Sequence, residues 1–282
     1  MNKQGEYGIP YCDYTWNPVT GCLHGCSYCF AERIAKRFAG SKAFPNGFAP
    51  MFHERRLEEP ERIKKPSRIF VSDMGDLFGE WVSDNWILKI LDTIKECPQH
   101  IFLLLTKNPK RYNEFEIPDN AWIGTSVENQ AAADERIPLL LQAQASVRLV
   151  SIEPMLGPIS LRWLSVWGGK GLNPNSLSTK DLDGLRCLDW VIVGGESGPG
   201  ARPVHPTWVR SLRDQCKAAN VPFFFKQWGE WGWFQGGHGS IKLPATFVDG
   251  EPFKAWMVRV GKKKAGRILD GRTWDEMPCE PK

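Results

Sequence analysis

A repeated exchange of short apolar runs with helical stretches narrows the fold of this 282-residue chain more than any other feature. Arg68–Ser72, His100–Thr106, Ala121–Ser126, Val147–Ile152, Trp190–Gly194 and Pro222–Lys226 are five to seven residues long and rich in β-branched, leucine or aromatic side chains. Between the first two lies Trp86–Lys95, with Ile87, Ile90, Leu91 and Ile94 three and four apart, and Gln130–Ala143 and Thr207–Ala219 also read as helices. Strands that alternate with helices form βαβ units, whose parallel sheet is covered on both faces and so built from near-continuous apolar runs. With Tyr14–Asn17 as an earlier strand the count is about seven, short of the eight of a closed (β/α) barrel. A partial TIM-like barrel and a doubly wound open sheet both meet that pattern.

Two stretches leave the rhythm. Gly168–Gly184 is rich in Gly, Asn and Ser and reads as a surface loop. From Trp228 the alternation stops, so residues 1–227 are expected to form the barrel-like domain and 228–282 a C-terminal extension of short strands and turns. Trp228, Trp231 and Trp233 open that extension, and Lys262–Lys264 form a basic run within it. Every apolar run is far shorter than the ~20 residues a membrane span needs, and Met1–Tyr14 lacks the apolar stretch of a signal peptide. Eight cysteines in a chain of this length are too sparse and uneven for a disulfide scaffold. A cytoplasmic protein with no membrane partner is expected. Its net charge of +4 permits an anionic substrate without requiring one.

Three of the cysteines are clustered in Cys22-Leu23-His24-Gly25-Cys26-Ser27-Tyr28-Cys29. A structural zinc ion wants four closed ligands, so this set is one short unless His24 or Cys12 completes it. An iron–sulfur cube can be held by three cysteines with one iron left open, or by four in an electron carrier. Gly21 and Gly25 allow the loop to turn tightly. Ala31–Ala39 follows as a helix closed by Gly40, with Ile34 and Phe38 on one face, so the thiols sit where a strand hands over to a helix. Cys12, Cys97, Cys187, Cys216 and Cys279 are expected to be buried small hydrophobes, Cys12 being nearest the cluster.

The strand ends are polar where parallel architectures gather ligand-binding groups. They carry Asp73, Gly75 and Asp76; Thr106 and Lys107; Thr125, Ser126, Glu128 and Asn129; Ser151 and Glu153; Gly194, Gly195 and Glu196; and Lys226 and Gln227. Each alone is also what a cap or turn uses. Six consecutive ends furnished this way point to a shared site.

The C-x3-C-x2-C loop, after a first strand, before a first helix and with Tyr28 ahead of its last cysteine, resembles the signature of the radical S-adenosylmethionine (SAM) superfamily. The resemblance implies an α/β partial (β/α) TIM-like barrel, here with a short C-terminal extension, and favours it over the open sheet. It implies that Cys22, Cys26 and Cys29 ligate a 4Fe–4S cluster, that SAM fills the open iron through its amino and carboxylate groups, and that Tyr28 lies near the adenine. One electron from a reductant such as flavodoxin or ferredoxin would cleave a carbon–sulfur bond and release a 5′-deoxyadenosyl radical. The protein's part is to hold the cofactor and aim the radical. The second strand of such domains ends in a Gly-Gly-Glu-like motif for the SAM amino group. Met74-Gly75-Asp76, preceded by Asp73, stands there, and only Gly75 and an acid correspond. Ser126 and Glu128 end the fourth strand, where the family often supplies ribose and carboxylate contacts, and Glu153, which ends the next, is a further candidate cofactor contact. A literal Gly194-Gly195-Glu196 follows a late strand, where its glycines give room for adenine or substrate and Glu196 is free for another, catalytic role.

Tyr14–Cys22 (YTWNPVTGC), Pro222–Gly229 (PFFFKQWG) and Gly266–Asp275 (GRILDGRTWD) are similar to a family of phage- and prophage-borne radical-SAM-like proteins. That resemblance spans nearly the whole chain and implies no particular reaction. The spore photoproduct lyase branch, which repairs crosslinked thymines in DNA, is a more distant analogue. The expected function is radical SAM chemistry on a substrate among which nucleic acid or nucleotide leads, with peptide and small-metabolite substrates open. Lys262–Lys264, Arg259, Arg267 and Arg272 could follow phosphates and the tryptophans could stack on bases, although a solvated turn and a small core explain both as simply. Lys226, at the last strand end, is the leading substrate contact. The alternative is a zinc-stabilised nucleic-acid-binding protein without catalysis.

Overall fold

The structure, a computed structural model, describes residues 1–5, 8–162, 184–234, 240–244, 246–248, 251–253 and 255–279. The expected loop at 168–184 lies outside the described residues except for Gly184. The chain is mixed α/β with a mostly parallel sheet. It divides into two compact units, Met1–Ser126 with Leu139–Arg148, and Val127–Pro138 with Leu149–Lys282.

In the first unit the elements are β1 (Asn2–Lys3), β2 (Tyr14–Trp16), β3 (Val19–Thr20), α1 (Phe30–Arg37), β4 (Met51–Phe52), β5 (Arg68–Val71), α2 (Asp84–Glu96), β6 (Ile101–Thr106) and β7 (Ala121–Ser126). β2, β5, β6 and β7 run parallel in sequence order, with Trp16 opposite Val71, Val71 opposite Leu104 and Leu104 opposite Ile123. β1 adds antiparallel to β2, an edge strand that its two polar residues did not announce. Consecutive residues of β5, β6 and β7 are buried, as a strand covered on both faces requires. The Tyr112 hydroxyl lies 3.0 Å from both Leu104 O and Gly124 O, its one proton shared between them, and so clamps β6 to β7.

Helix α2 buries Ile87, Ile90, Leu91 and Ile94, the face its spacing predicts. Helix α1 does not follow its apolar spacing. Ala31 and Ala35 are buried against Phe44 and Met74, while Phe30, Ile34 and Phe38 are exposed. Alanine lets a helix sit close to its support, and here that close seat outweighs the larger residues one step round the helix. Ser41–Pro66 contains β4, paired antiparallel with β3, and two single 3-10 turns at Glu54–Arg56 and Pro60–Arg62.

In the second unit β8 (Arg148–Ile152), β9 (Trp190–Gly194) and β10 (Phe223–Gln227) are again parallel and in order. Helix α3 (Gln130–Leu140) precedes β8, and α4 (Pro206–Ala219) precedes β10. Helix α4 starts on Pro206, is capped by His205 and ends at Asn220, whose φ of 58° closes the last turn in left-handed geometry. After β10 the pairing turns antiparallel. β11 (Trp231–Phe234), β12 (Ser240–Lys242) and β15 (Trp256–Arg259) form one small sheet, β13 (Thr246–Val248) pairs β14 (Glu251–Phe253), and α5 (Lys262–Ala265) is a single turn.

The last segment returns to the edge of β10. Phe225 N donates to Trp274 O at 2.9 Å, Phe223 N to Glu276 Oε2 at 3.0 Å and Trp190 Nε1 to Glu276 O at 2.8 Å. Trp228, Leu269 and Trp274 are buried, so Gly266–Asp275 covers a strand edge that would otherwise expose unpaired backbone groups. Trp233 and Trp256 remain exposed. Cys12, Cys97 and Cys216 are buried as expected, whereas Cys187 is half-buried and Cys279 exposed. Among the described residues no helix is long and apolar enough to cross a membrane.

Candidate functional site

The start of the cysteine loop meets the end of β5 through backbone. Gly21 N donates to Met74 O at 2.8 Å, and Gly21 bridges Gly75 in parallel register. A Cβ on Gly75 would lie 2.9 Å from Gly21 O, and one on Gly21, whose φ is 86°, would lie 2.3 Å from Ala49 O. The crossing therefore needs glycine at position 75, and the backbone of Phe48 and Ala49 together with the positive φ needs it at position 21. Gly75, expected to touch cofactor, is placed first of all to let the loop approach.

Beyond the crossing the chain turns at Gly25 and again where Cys29 N donates to Cys26 O at 3.0 Å. Cys29 then caps α1, its Sγ accepting from Glu32 N at 3.3 Å. All three thiols are free and partly exposed. Burial pushes the Cys22 thiol up to about 12, helped by the Asp76 charge and the two neighbouring thiols, and burial also raises Cys29. A coordinating metal displaces the proton of such a thiol. Three thiols within one eight-residue loop, Cys22 feeling the charge of the other two, match the donor set of a cluster that takes one thiolate per iron. Among the described residues no group of three or more His, Cys, Asp or Glu is gathered as ligands to a single ion.

Asp76 is the polar hub behind this loop. Its buried carboxylate accepts from His24 Nε2 at 2.8 Å, Thr106 Oγ1 at 2.6 Å, Lys107 N at 3.0 Å and Phe78 N at 3.1 Å. His24 also meets Trp81 edge to face, with ring centroids 4.8 Å apart. The middle of the loop is thus tied to β5 and β6 through one carboxylate. With Nε2 turned to Asp76, His24 keeps only its other ring nitrogen for any zinc-like role. Lys107, one residue past β6, reaches the same loop. Its ammonium donates to Cys26 Sγ at 3.2 Å and to the Tyr28 hydroxyl, and lies 4.9 Å from the centre of the Tyr28 ring. Asp73 accepts from Asn17 Nδ2 at 2.6 Å, and Asn17 Oδ1 accepts from Met74 N at 3.0 Å, so the strand before the cysteines orients the end of β5. Ser126, half-buried, closes β7.

The second unit gathers its own strand-end groups. Lys226 pairs with Glu153 at 3.1 Å, and Ser151 Oγ donates to the same carboxylate at 3.2 Å. Gly194 leaves the space that carboxylate fills, since a Cβ there would lie 2.5 Å from Glu153 Oε1. The Lys262 ammonium is held below its ordinary range by burial and by the Lys226 charge, with Glu153 and Glu230 opposing. Gly195 and Gly229 cross in contact: a Cβ on Gly195 would lie 2.0 Å from Trp228 O, and one on Gly229 2.0 Å from Glu196 O. Glu196 accepts from Arg202 Nε at 2.7 Å, and Glu128 from Arg136 at 3.1 Å.

The residues expected to act together thus fall into two groups. Tyr28, Asp73, Gly75, Asp76 and Ser126 belong to the first unit with the three cysteines, and Glu128, Glu153, Gly194, Gly195, Glu196 and Lys226 belong to the second. Lys107 was visible only as one polar strand end among several, and His24 only as a candidate metal ligand. Lys262 was visible only as part of a basic run. Of the arginines considered for phosphate contact, Arg259 faces Glu230, Arg267 pairs with Asp275 and Arg272 faces Glu276.

A family model described as "Protein of unknown function (DUF5131)" matches residues 6–278. No curated protein matches the chain. Among solved structures the chain is similar to a spore photoproduct lyase mutant with bound AdoMet and dinucleoside spore photoproduct, at 9% identity and a TM-score of 0.44, over 89% of this chain and 70% of that one. It is also similar to spore photoproduct lyase complexed with dinucleoside spore photoproduct, at 8% identity and a TM-score of 0.45, over 91% and 72%. At these values nothing about the site follows from the likeness.

Proposed function

We propose that this chain, which belongs to the DUF5131 family, is a radical SAM enzyme built on a partial (β/α) barrel. The observation that carries the reading is the loop itself: three free thiols at C-x3-C-x2-C spacing, between a strand and the helix that the third thiol caps. Cys22, Cys26 and Cys29 would hold a 4Fe–4S cluster, with the fourth iron open to SAM. When bound, the two groups would supply one-electron cleavage of a carbon–sulfur bond and hydrogen-atom abstraction from the substrate.

This chain's own residues do the holding. Asp76 fixes His24, and with it the centre of the loop, against the ends of β5 and β6. Tyr28, steadied by Lys107, offers its ring to the adenine. Asp73 and Ser126 are proposed cofactor contacts at their strand ends. Glu128 and Gly195, also proposed as cofactor contacts, have structural partners of their own in the second unit: Arg136 pairs with Glu128, and the Trp228 carbonyl leaves no room for a side chain at Gly195. Glu153 and Lys226, paired at the ends of β8 and β10 beside the space at Gly194, are proposed substrate contacts, with Glu196 a second acidic group held by Arg202. A nucleic acid or nucleotide is the proposed substrate class, supported by the exposed Lys263, Lys264, Trp233 and Trp256 of the second unit. The proposed electron donor is a flavodoxin or ferredoxin, and the proposed compartment is the reducing cytoplasm. Placement among phage- and prophage-borne members rests on the three sequence motifs.

Anaerobic reconstitution with iron and sulfide tests the reading. About four irons and four sulfides per chain are expected, with loss of most of both in Cys22→Ala, Cys26→Ala and Cys29→Ala. A wild-type protein that takes up one zinc ion and no sulfide would overturn it.

A further inference from the structure

We propose that Lys107 is the cation that completes the cysteine loop, and that it raises the reduction potential of the cluster held there. This deepens the cluster reading and rests on it. Lys107 is attached to the loop twice. Its backbone N–H shares the Asp76 carboxylate with His24, and its ammonium reaches Cys26 Sγ at 3.2 Å and the Tyr28 hydroxyl. Its neighbour Thr106 is buried and donates to Asp76 at 2.6 Å, so the stem rises from a rigid strand end. The ammonium lies 4.9 Å from the centre of the Tyr28 ring, and Tyr28 stands next to Cys29.

A cation aimed at a ligating sulfur acts differently on the two oxidation states. Reduction adds one electron, delivered by a low-potential donor, and leaves the cluster and its thiolates one charge more negative. A positive hydrogen-bond donor to sulfur stabilises that state more than the oxidised one, which moves the potential upward. Asp76 is the opposing charge and is felt at Cys22, but its carboxylate accepts from four donors, and it is the ammonium that contacts Cys26. The thiol nearest the ammonium is therefore the one on which the electron's charge is best offset.

The test is a redox titration of reconstituted wild type, Lys107→Met and Lys107→Arg, followed by electron paramagnetic resonance, with iron and sulfide measured on each. Lys107→Met is expected to keep its iron. At the solution potential that half-reduces wild type, its reduced-to-oxidised ratio should fall about tenfold or more, equivalent to about 59 mV for a one-electron couple. Lys107→Arg should stay nearer wild type. A Lys107→Met protein with full iron and an unshifted midpoint overturns the proposal and leaves the cluster reading standing. A wild type that takes up no iron and sulfide overturns both. If Lys107→Met fails to load, Lys107→Arg decides: loading with a near-wild-type midpoint supports the role of the charge, and failure to load overturns it.

Discussion

Replacing Asp76 by Ala should cost the first unit a large share of its stability, and the size of the loss can be worked from four bonds. The carboxylate accepts from the Thr106 hydroxyl, the Phe78 and Lys107 N–H groups and His24 Nε2. His24 is partly exposed and can turn to water, which removes it from the sum. Thr106 and Phe78 are buried, and Lys107 N is partly so. An orphaned buried donor costs about 1–3 kcal/mol. With two donors stranded fully and one about half, the expected loss is about 2.5–7.5 kcal/mol, against a total of about 5–15 kcal/mol for a typical native protein. Asp76→Asn keeps an oxygen for Thr106 and Phe78 but turns an NH2 toward Lys107 N and His24, and should cost about half as much. Urea unfolding at neutral pH, followed by tryptophan fluorescence, reads the difference. A loss under about 1 kcal/mol for Asp76→Ala, or an Asn variant no better than Ala, would refute the hub.

Five further outcomes follow from the geometry. Gly195→Ala places a methyl 2.0 Å from the Trp228 carbonyl and should unfold or strongly destabilise the second unit in thermal melts. Gly194→Ala instead meets the movable end of Glu153 at 2.5 Å, so it should retain most stability while altering turnover with any identified substrate. Burial lowers His53 from about 6.5 to about 4, so the unfolded chain binds the extra proton between those values. Stability should decline as pH falls through that window, and His53→Gln, which can still bond Thr20, should flatten the decline in urea midpoints measured across it. Lys226→Ala should leave iron content unchanged and weaken binding or turnover of substrate, and unchanged kinetics would remove it from the site. Cys97→Ala, at a buried thiol outside the loop, should lose stability and keep full iron.

The parallel strands were legible because burial on both faces demands continuous apolar runs, and β5 through β10 carry them. Helix α2 was legible for the same reason in helical period. Helix α1 departs from its sequence pattern because spacing rewards the large residues Ile34 and Phe38, whereas packing against Phe44 and Met74 rewards the small ones, Ala31 and Ala35. The loop's thiols could be named from their spacing, but its supports could not. Lys107 and Cys26 are 81 residues apart, and Asp76 and His24 52, so neither pairing leaves a local trace. Gly195 shows the opposite error, in which a motif-like Gly-Gly-Glu suggests ligand contact while the first need for glycine there is a backbone crossing at Trp228–Gly229. The tail Gly266–Asp275 was visible as a motif, yet its task of covering β10 needed the pairing of Phe224 with Asp275.

The central claim is met most directly by incubating the reconstituted, reduced protein with SAM and quantifying 5′-deoxyadenosine and methionine. Release of both in equal amounts by wild type, and by none of the Cys22, Cys26 and Cys29 variants, is the predicted result. A fully loaded, reduced wild type that leaves SAM intact would contradict it.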